Sequence, residues 1–187
     1  ISLDSHLPEV HDAFRGMRGA YERTMKGIRS CVDEGLVVGI ATTATKLNLD
    51  GIPEMVKLAR DSGAERLIVF NLVPTGRAKQ DVSSIELSTE ERWRLLGYLY
   101  DELQAGGLGV FSTSPMYAVV SLQRMETGGG HELVPTHFAD VKVSMESFEH
   151  AKVLAEFIGG CGAGRIYCSV EANGDITPCV FLPIVVG

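Results

Sequence analysis

Three of the chain's four cysteines, Cys161, Cys168 and Cys179, stand close together near its C-terminal end. Thiolates are soft ligands that suit iron–sulfur clusters or zinc, and a compact turn-rich segment is an economical way to converge them. Cys161 sits in the glycine-rich stretch Gly159-Gly160-Cys161-Gly162 and Cys179 follows Pro178, so both occupy turn positions from which a side chain can reach a metal. Cys168 lies among strand-like residues and reads equally as a ligand or as a small core hydrophobe. Cys31, inside a helical pattern, reads as packing.

A second group of polar residues stands at the ends of apolar runs: Ser2 and Asp4, Thr42 and Thr43, and Asn71 to Gly76. In α/β proteins the carboxyl ends of parallel strands are where ligand groups collect. Short hydroxyls and a carboxylate suit a ribose diol, and the backbone after a strand can read an adenine edge. The bland alternative for each is a helix cap. Arg15, Arg18 and Arg23 line the polar side of the first helix, where one of them could meet a carboxylate. His11, His131 and His137 have no metal-ligand spacing and read as surface or loop residues.

The elements that must position these residues follow from periodicity. Ile1 to Asp4 alternates like the end of a strand. Phe14, Met17, Tyr21, Met25, Ile28 and Val32 repeat at steps of three and four, predicting one helix from Pro8 to Glu34. Leu36 to Ala41 is a short apolar run, the pattern of a strand buried on both faces, closed by Thr42-Thr43. Asp50 is placed to cap a helix with Pro53 in its first turn. Arg66 to Leu72 is the next strand. Ser88 and Glu91 form a capping-box pair opening a helix that carries Trp93, Leu96, Tyr100 and Leu103 and stops at Gly106-Gly107, and Leu108 to Thr113 is a further strand. Strands alternating with helices mean β/α units on a parallel sheet, barrel-like or open and doubly wound. No GxGxxG follows a strand, so a dinucleotide fold lacks its fingerprint. The character changes from Gln123. A loop, then a short helix over 145–158, precedes a hairpin turning at Asn173-Gly174.

Composition narrows the class. The 187 residues carry 17 basic and 24 acidic side chains, a net charge of −7, and 45% are hydrophobic. No Lys/Arg run offers the surface that nucleic-acid binding needs. No apolar stretch reaches the roughly 20 residues of a membrane span. Four cysteines are too few for a disulfide scaffold, which favours a reducing cytoplasm and metal ligation over cross-linking. The chain opens on Ile1 in strand-like residues, as an internal segment of something longer would.

Several strings together resemble a known family. Ile1-Ser2-Leu3-Asp4, Val10-His11-Asp12-Ala13-Phe14-Arg15-Gly16, Thr42 to Asn48 and Pro74-Thr75-Gly76-Arg77-Ala78 are similar to the second half of a radical S-adenosylmethionine enzyme core. In the tail, the C-x12-G-x4-C spacing of Cys161, Gly174 and Cys179 resembles the opening of the SPASM extension, which carries auxiliary iron–sulfur clusters. The likeness is strongest to the branch that modifies haem precursors, and peptide-modifying SPASM enzymes share much of the pattern.

The resemblance implies the later half of a partial (β/α)6 TIM-like barrel over 1–120, a linker over 121–145 and the start of a SPASM-type β-hairpin extension over 146–187. It implies that Ser2, Asp4, Arg15, Thr43, Asn48, Leu72 and Pro74 hold S-adenosylmethionine. Arg15 would meet its carboxylate and Leu72 to Pro74 would lie beside its adenine. Cys161 and Cys179, with Cys168 as a third, would ligate an auxiliary [4Fe–4S] cluster. The C-x3-C-x2-C loop of the radical [4Fe–4S] cluster is not in this sequence, its family position lying upstream of Ile1. The implied activity is reductive cleavage of S-adenosylmethionine and hydrogen abstraction from a tetrapyrrole side chain, with a ferredoxin or flavodoxin as reductant. The alternatives are a peptide maturase, a zinc-stabilised binding module with the tail cysteines on zinc, and an ordinary barrel enzyme acting at the strand ends.

Overall fold

A computed structural model describes residues 1–128, 163–164 and 168–187. The helix expected over 145–158, Cys161, His131 and His137 lie outside the described residues.

The described part is built on a parallel three-stranded sheet in the order β1 (Gly39–Ala44), β2 (Arg66–Asn71) and β3 (Gly109–Ser112). Ile40 pairs in register with Leu67, and Leu67 with Val110. The N-terminal residues extend the sheet beyond β1. Ser2 forms a parallel bridge with Ala41, and Leu3 N–H donates to the Ala41 carbonyl at 2.9 Å while Ala41 N–H donates to Ile1 at 2.8 Å.

The leading segment holds two helices, α1 (Pro8–Arg15) and α2 (Ala20–Asp33), where the periodicity predicts one. Gly16 and Gly19 take left-handed φ values of 64° and 70°, which glycine adopts without steric cost and which end one helix and restart the next. The Asp12 carboxylate satisfies the new start by accepting from Gly19 and Tyr21 N–H. Phe14 and Met17, expected on the inner face, are consequently exposed.

The first strand is also displaced from expectation. Leu36 and Val37 are exposed and precede β1, whereas Thr42 and Thr43 belong to it. Its burial alternates, with Ile40, Thr42 and Ala44 inside and Gly39, Ala41 and Thr43 half-buried. One face is therefore fully covered, not two. Ile40, Leu67, Val69 and Val110 form a single core with Ile28 of α2, Met55 and Val56 of α3 (Ile52–Asp61), Leu96, Leu99 and Tyr100 of α5 (Thr89–Ala105), and Tyr117 of α6 (Met116–Glu126). Each such side chain contributes roughly 1.5–3 kcal/mol by leaving water. The other face presents Ala41, Thr43, Ile68, Phe70 and Phe111, all partly open.

Asp50 does not cap α3. It lies in a 3-10 turn, Leu49–Gly51, that leads into the helix with Gly51 at the cap position. Ser88 and Glu91 do form the capping box of α5. A single-turn helix α4 (Val82–Ile85) precedes it. Helix α6 runs from Met116 to Glu126, with Tyr117, Val120 and Ser121 buried. The Asn173-Gly174 turn joins β4 (Ser169–Val170) to β5 (Ile176–Thr177) in antiparallel pairing, with Gly174 at φ 93°.

Candidate functional site

Asp4 is the hub at the carboxyl ends of the N-terminal strand and β1. Its side chain is 1% exposed. Oδ1 accepts Thr43 N–H at 3.1 Å, tying the two strand ends together. Oδ2 meets Nη2 of Arg15 at 2.6 Å, a contact of charge without the alignment of a hydrogen bond. A buried carboxylate needs such a partner, because the desolvation of an unpaired charge costs several kcal/mol.

Asn48 fastens the same two strand ends from the loop that follows β1. Its amide donates to the Asp4 carbonyl at 2.7 Å and the Thr43 carbonyl at 2.9 Å. Its Oδ1 accepts from Thr45 N–H at 2.8 Å and Thr45 Oγ1 at 3.2 Å. With both donors and both acceptor positions occupied, the amide has nothing to spare for a ligand. Its contribution is to place backbone.

The structure thus brings five of the expected residues to one edge: Ser2 in the bridge to Ala41, Asp4, Arg15, Thr43 and Asn48. Arg15 is 39% exposed, so part of its fork faces solvent. Leu72 and Pro74 follow β2, the strand next to β1, and both are half-buried. The β2 end is itself anchored, since Asn71 N–H donates to the Thr113 hydroxyl at 3.0 Å. The donor set suits an amino-acid-bearing nucleoside: a cation for a carboxylate, hydroxyls for a diol and an apolar shelf for a base.

His11 is the residue that sequence reasoning placed wrongly. It is 1% exposed on α1, and its Nδ1 accepts the Asp4 N–H at 3.1 Å. The Tyr21 ring stands edge-on to it at a centroid distance of 6.2 Å. Burial pushes its pKa below the usual histidine value. Asp4 opposes that shift, Arg15 adds to it and Asp12 opposes it. The available signal was its position four residues before Arg15, which puts both on one helical face. Asp12, whose pKa is lowered chiefly by the Tyr21 N–H it accepts, is the second unanticipated anchor.

The cysteines divide. Cys31 packs against the core from α2, as expected. Cys168 is exposed, which removes the core-hydrophobe reading. Cys179 is half-buried, and its carbonyl accepts Leu182 N–H at 2.9 Å. Among the described residues no three His, Cys, Asp or Glu side chains form a metal-binding group. The described cysteines therefore do not by themselves make a cluster site. Also among the described residues, no helix is long and apolar enough to cross a membrane.

No family model matches the chain. It is 32% identical over 188 residues to an AdoMet-dependent heme synthase of Methanosarcina barkeri, a match that spans 100% of this chain and 49% of that protein. It is 26% identical over 182 residues to the mycofactocin maturase MftC of Mycolicibacterium smegmatis, covering 97% of this chain and 38% of that protein. The chain spans about half the length, or less, of the curated relatives it matches. In fold it is similar to Streptococcus suis SuiB, solved bound to the precursor peptide SuiA. The TM-score is 0.63 at 18% identity, over 97% of this chain and 36% of that one. Along its whole length the chain is thus similar to about half of an AdoMet-dependent heme synthase, and in fold to SuiB, and it resembles the corresponding part of the radical S-adenosylmethionine enzymes.

Proposed function

We propose that this chain forms the later strands of a partial barrel in an enzyme that binds S-adenosylmethionine at the Asp4 edge and modifies a tetrapyrrole side chain. The observation that carries the reading is the 32% identity to a heme synthase along the whole chain. The geometry supports it by gathering Ser2, Arg15 and Thr43 at one strand end.

In this reading Arg15 binds the cofactor's carboxylate, Ser2 and Thr43 face its polar atoms, and Leu72 and Pro74 flank the adenine. Asp4 and Asn48 act one step back, fixing the backbone and the guanidinium. Bound there beside a reducing [4Fe–4S] cluster, S-adenosylmethionine supplies hydrogen abstraction from an unactivated carbon. The half-open sheet face with Ile68, Phe70 and Phe111 offers a planar, apolar substrate a surface that excludes water. Cys161, Cys168 and Cys179 are proposed as ligands of an auxiliary cluster, and an electron donor such as ferredoxin or flavodoxin as partner, in a cytoplasmic setting. A peptide substrate is the second reading, favoured by the likeness to the mycofactocin maturase.

The test is anaerobic reconstitution of the full-length protein with iron and sulfide, then turnover with S-adenosylmethionine, a reductant and a propionate-bearing tetrapyrrole. The expected result is cluster absorbance and formation of 5′-deoxyadenosine matched by a mass change in the tetrapyrrole. A protein that stays colourless, or turns over only with a peptide, refutes the tetrapyrrole reading.

A further inference from the structure

We propose that His11 is a positioning residue for Arg15, acting through Asp4, and so sets how well the protein takes the carboxylate of S-adenosylmethionine. The inference rests on the reading above that Arg15 meets that carboxylate.

The N-terminal strand gives and takes its ladder bonds with β1 at Ile1 and Leu3. The N–H of Asp4 instead turns to α1, where Nδ1 of His11 accepts it at 3.1 Å. That bond requires an unprotonated Nδ1, so the proton of the neutral ring sits on Nε2. It fixes the Asp4 backbone from one side while Asn48 fixes it from the other through the carbonyl. With the backbone held at both groups and Oδ1 spent on Thr43, the direction of Oδ2 is settled, and Oδ2 is what holds Arg15.

Nδ1 of His11 also lies 3.9 Å from Oδ2. A proton there would end the bond from the Asp4 N–H and leave that buried donor unpaired. It would also place a second cation beside the oxygen that retains Arg15. Protonation thus loosens the guanidinium in two ways. The groups facing His11 are Asp4 from the strand, Asp12 and Arg15 on its own helix, and the Tyr21 ring from α2. Burial outweighs the carboxylates and keeps the ring neutral at neutral pH.

The experiment is equilibrium dialysis of the full-length protein against S-adenosylmethionine and against its decarboxylated analogue, which keeps the sulfonium, ribose and adenine. Arg15→Gln is expected to weaken S-adenosylmethionine about tenfold or more and the analogue hardly at all. His11→Phe, which removes the acceptor, is expected to weaken S-adenosylmethionine by about 3–10-fold with the same selectivity. His11→Asn returns an acceptor near the Nδ1 position and does not titrate. It is expected to restore affinity to within about twofold and to abolish the loss that the parent protein shows on acidification below the ordinary histidine value. Equal weakening of both ligands by His11→Phe, or an acid loss that persists in His11→Asn, overturns the proposal. Failure of Arg15→Gln to discriminate the two ligands overturns the reading of Arg15 itself, a separate result.

Discussion

Replacing Asn48 by Ala removes the side chain that joins the loops after the N-terminal strand and β1. The amide makes four hydrogen bonds, to the Asp4 and Thr43 carbonyls and from Thr45 N–H and Oγ1. Asn48 is 5% exposed, so water does not readily take its place. The Thr45 hydroxyl can turn elsewhere, but two carbonyls and one N–H lose their partner. At the lower end of the cost of an unmade buried bond, about 1 kcal/mol each, the variant loses about 3 kcal/mol. For a chain of this size that lowers Tm by about 6–12 °C. Asn48→Asp sharpens the test, because it keeps the shape and the two accepting roles while turning a carboxylate toward two carbonyl oxygens. At neutral pH it should be at least as destabilising as Asn48→Ala. Those carbonyls raise the folded-state pKa of the new carboxyl, so the folded protein binds its proton more tightly than the unfolded chain. Stability relative to Asn48→Ala should therefore recover as pH falls through that value. Urea unfolding followed by circular dichroism measures both variants. A cost below about 1 kcal/mol for Asn48→Ala, or an Asn48→Asp deficit that ignores pH, would refute the idea that this amide holds the strand ends.

Three further outcomes follow from the geometry. Ser88→Ala removes the side-chain cap of α5 and should cost about 1 kcal/mol in urea unfolding, with Glu91→Ala costing less. A Cβ on Gly51 would stand 2.9 Å from Cε1 of His6, so Gly51→Ala should cost about 1–2 kcal/mol, and a double-mutant cycle should show the penalty vanish in a His6→Ala background. His11 has a folded pKa below the ordinary 6.5, so on acidification the unfolded chain takes up the proton first. Stability should fall as pH drops from about 6.5 through the folded value, and urea midpoints of His11→Asn should lack that slope.

Much of the β/α order was readable because apolar runs and helical spacing are local signals. Ser88 and Glu91, or Asn173 and Gly174, declare their turns within a few residues. The break between α1 and α2 was not, since the apolar spacing runs on through Phe14 and Met17. The deciding events are a left-handed Gly16 and a carboxylate at Asp12 reaching Gly19 and Tyr21. The strand-end residues were legible as types but not as roles. Asn48 was expected beside a ligand, yet its bonds go to Asp4 and Thr43, partners that only the parallel pairing of Ile1–Asp4 with β1 supplies. His11 was misplaced for the same reason, because its partner is a backbone N–H that carries no sequence signature.

The pairing of the first residues with β1 also orders events during synthesis. Asp4 and Asn48 are separated by 44 positions, and Ile1 and Gly39 by 38. At about 5–20 residues per second, the ribosome delivers Asn48 roughly 2–9 s after Asp4. During that interval the side of Ile1 to Asp4 that will face β1 has no partner strand, and unpaired strand groups are open to pairing with other chains. Helices α1 and α2, whose bonds are local, are complete within the same interval and are available to shield it. Loss of the Gly16–Gly19 break would leave one long rod in their place, unable to fold back over the waiting strand. The defect would then appear as aggregation of nascent protein before it appeared in the affinity of the finished site.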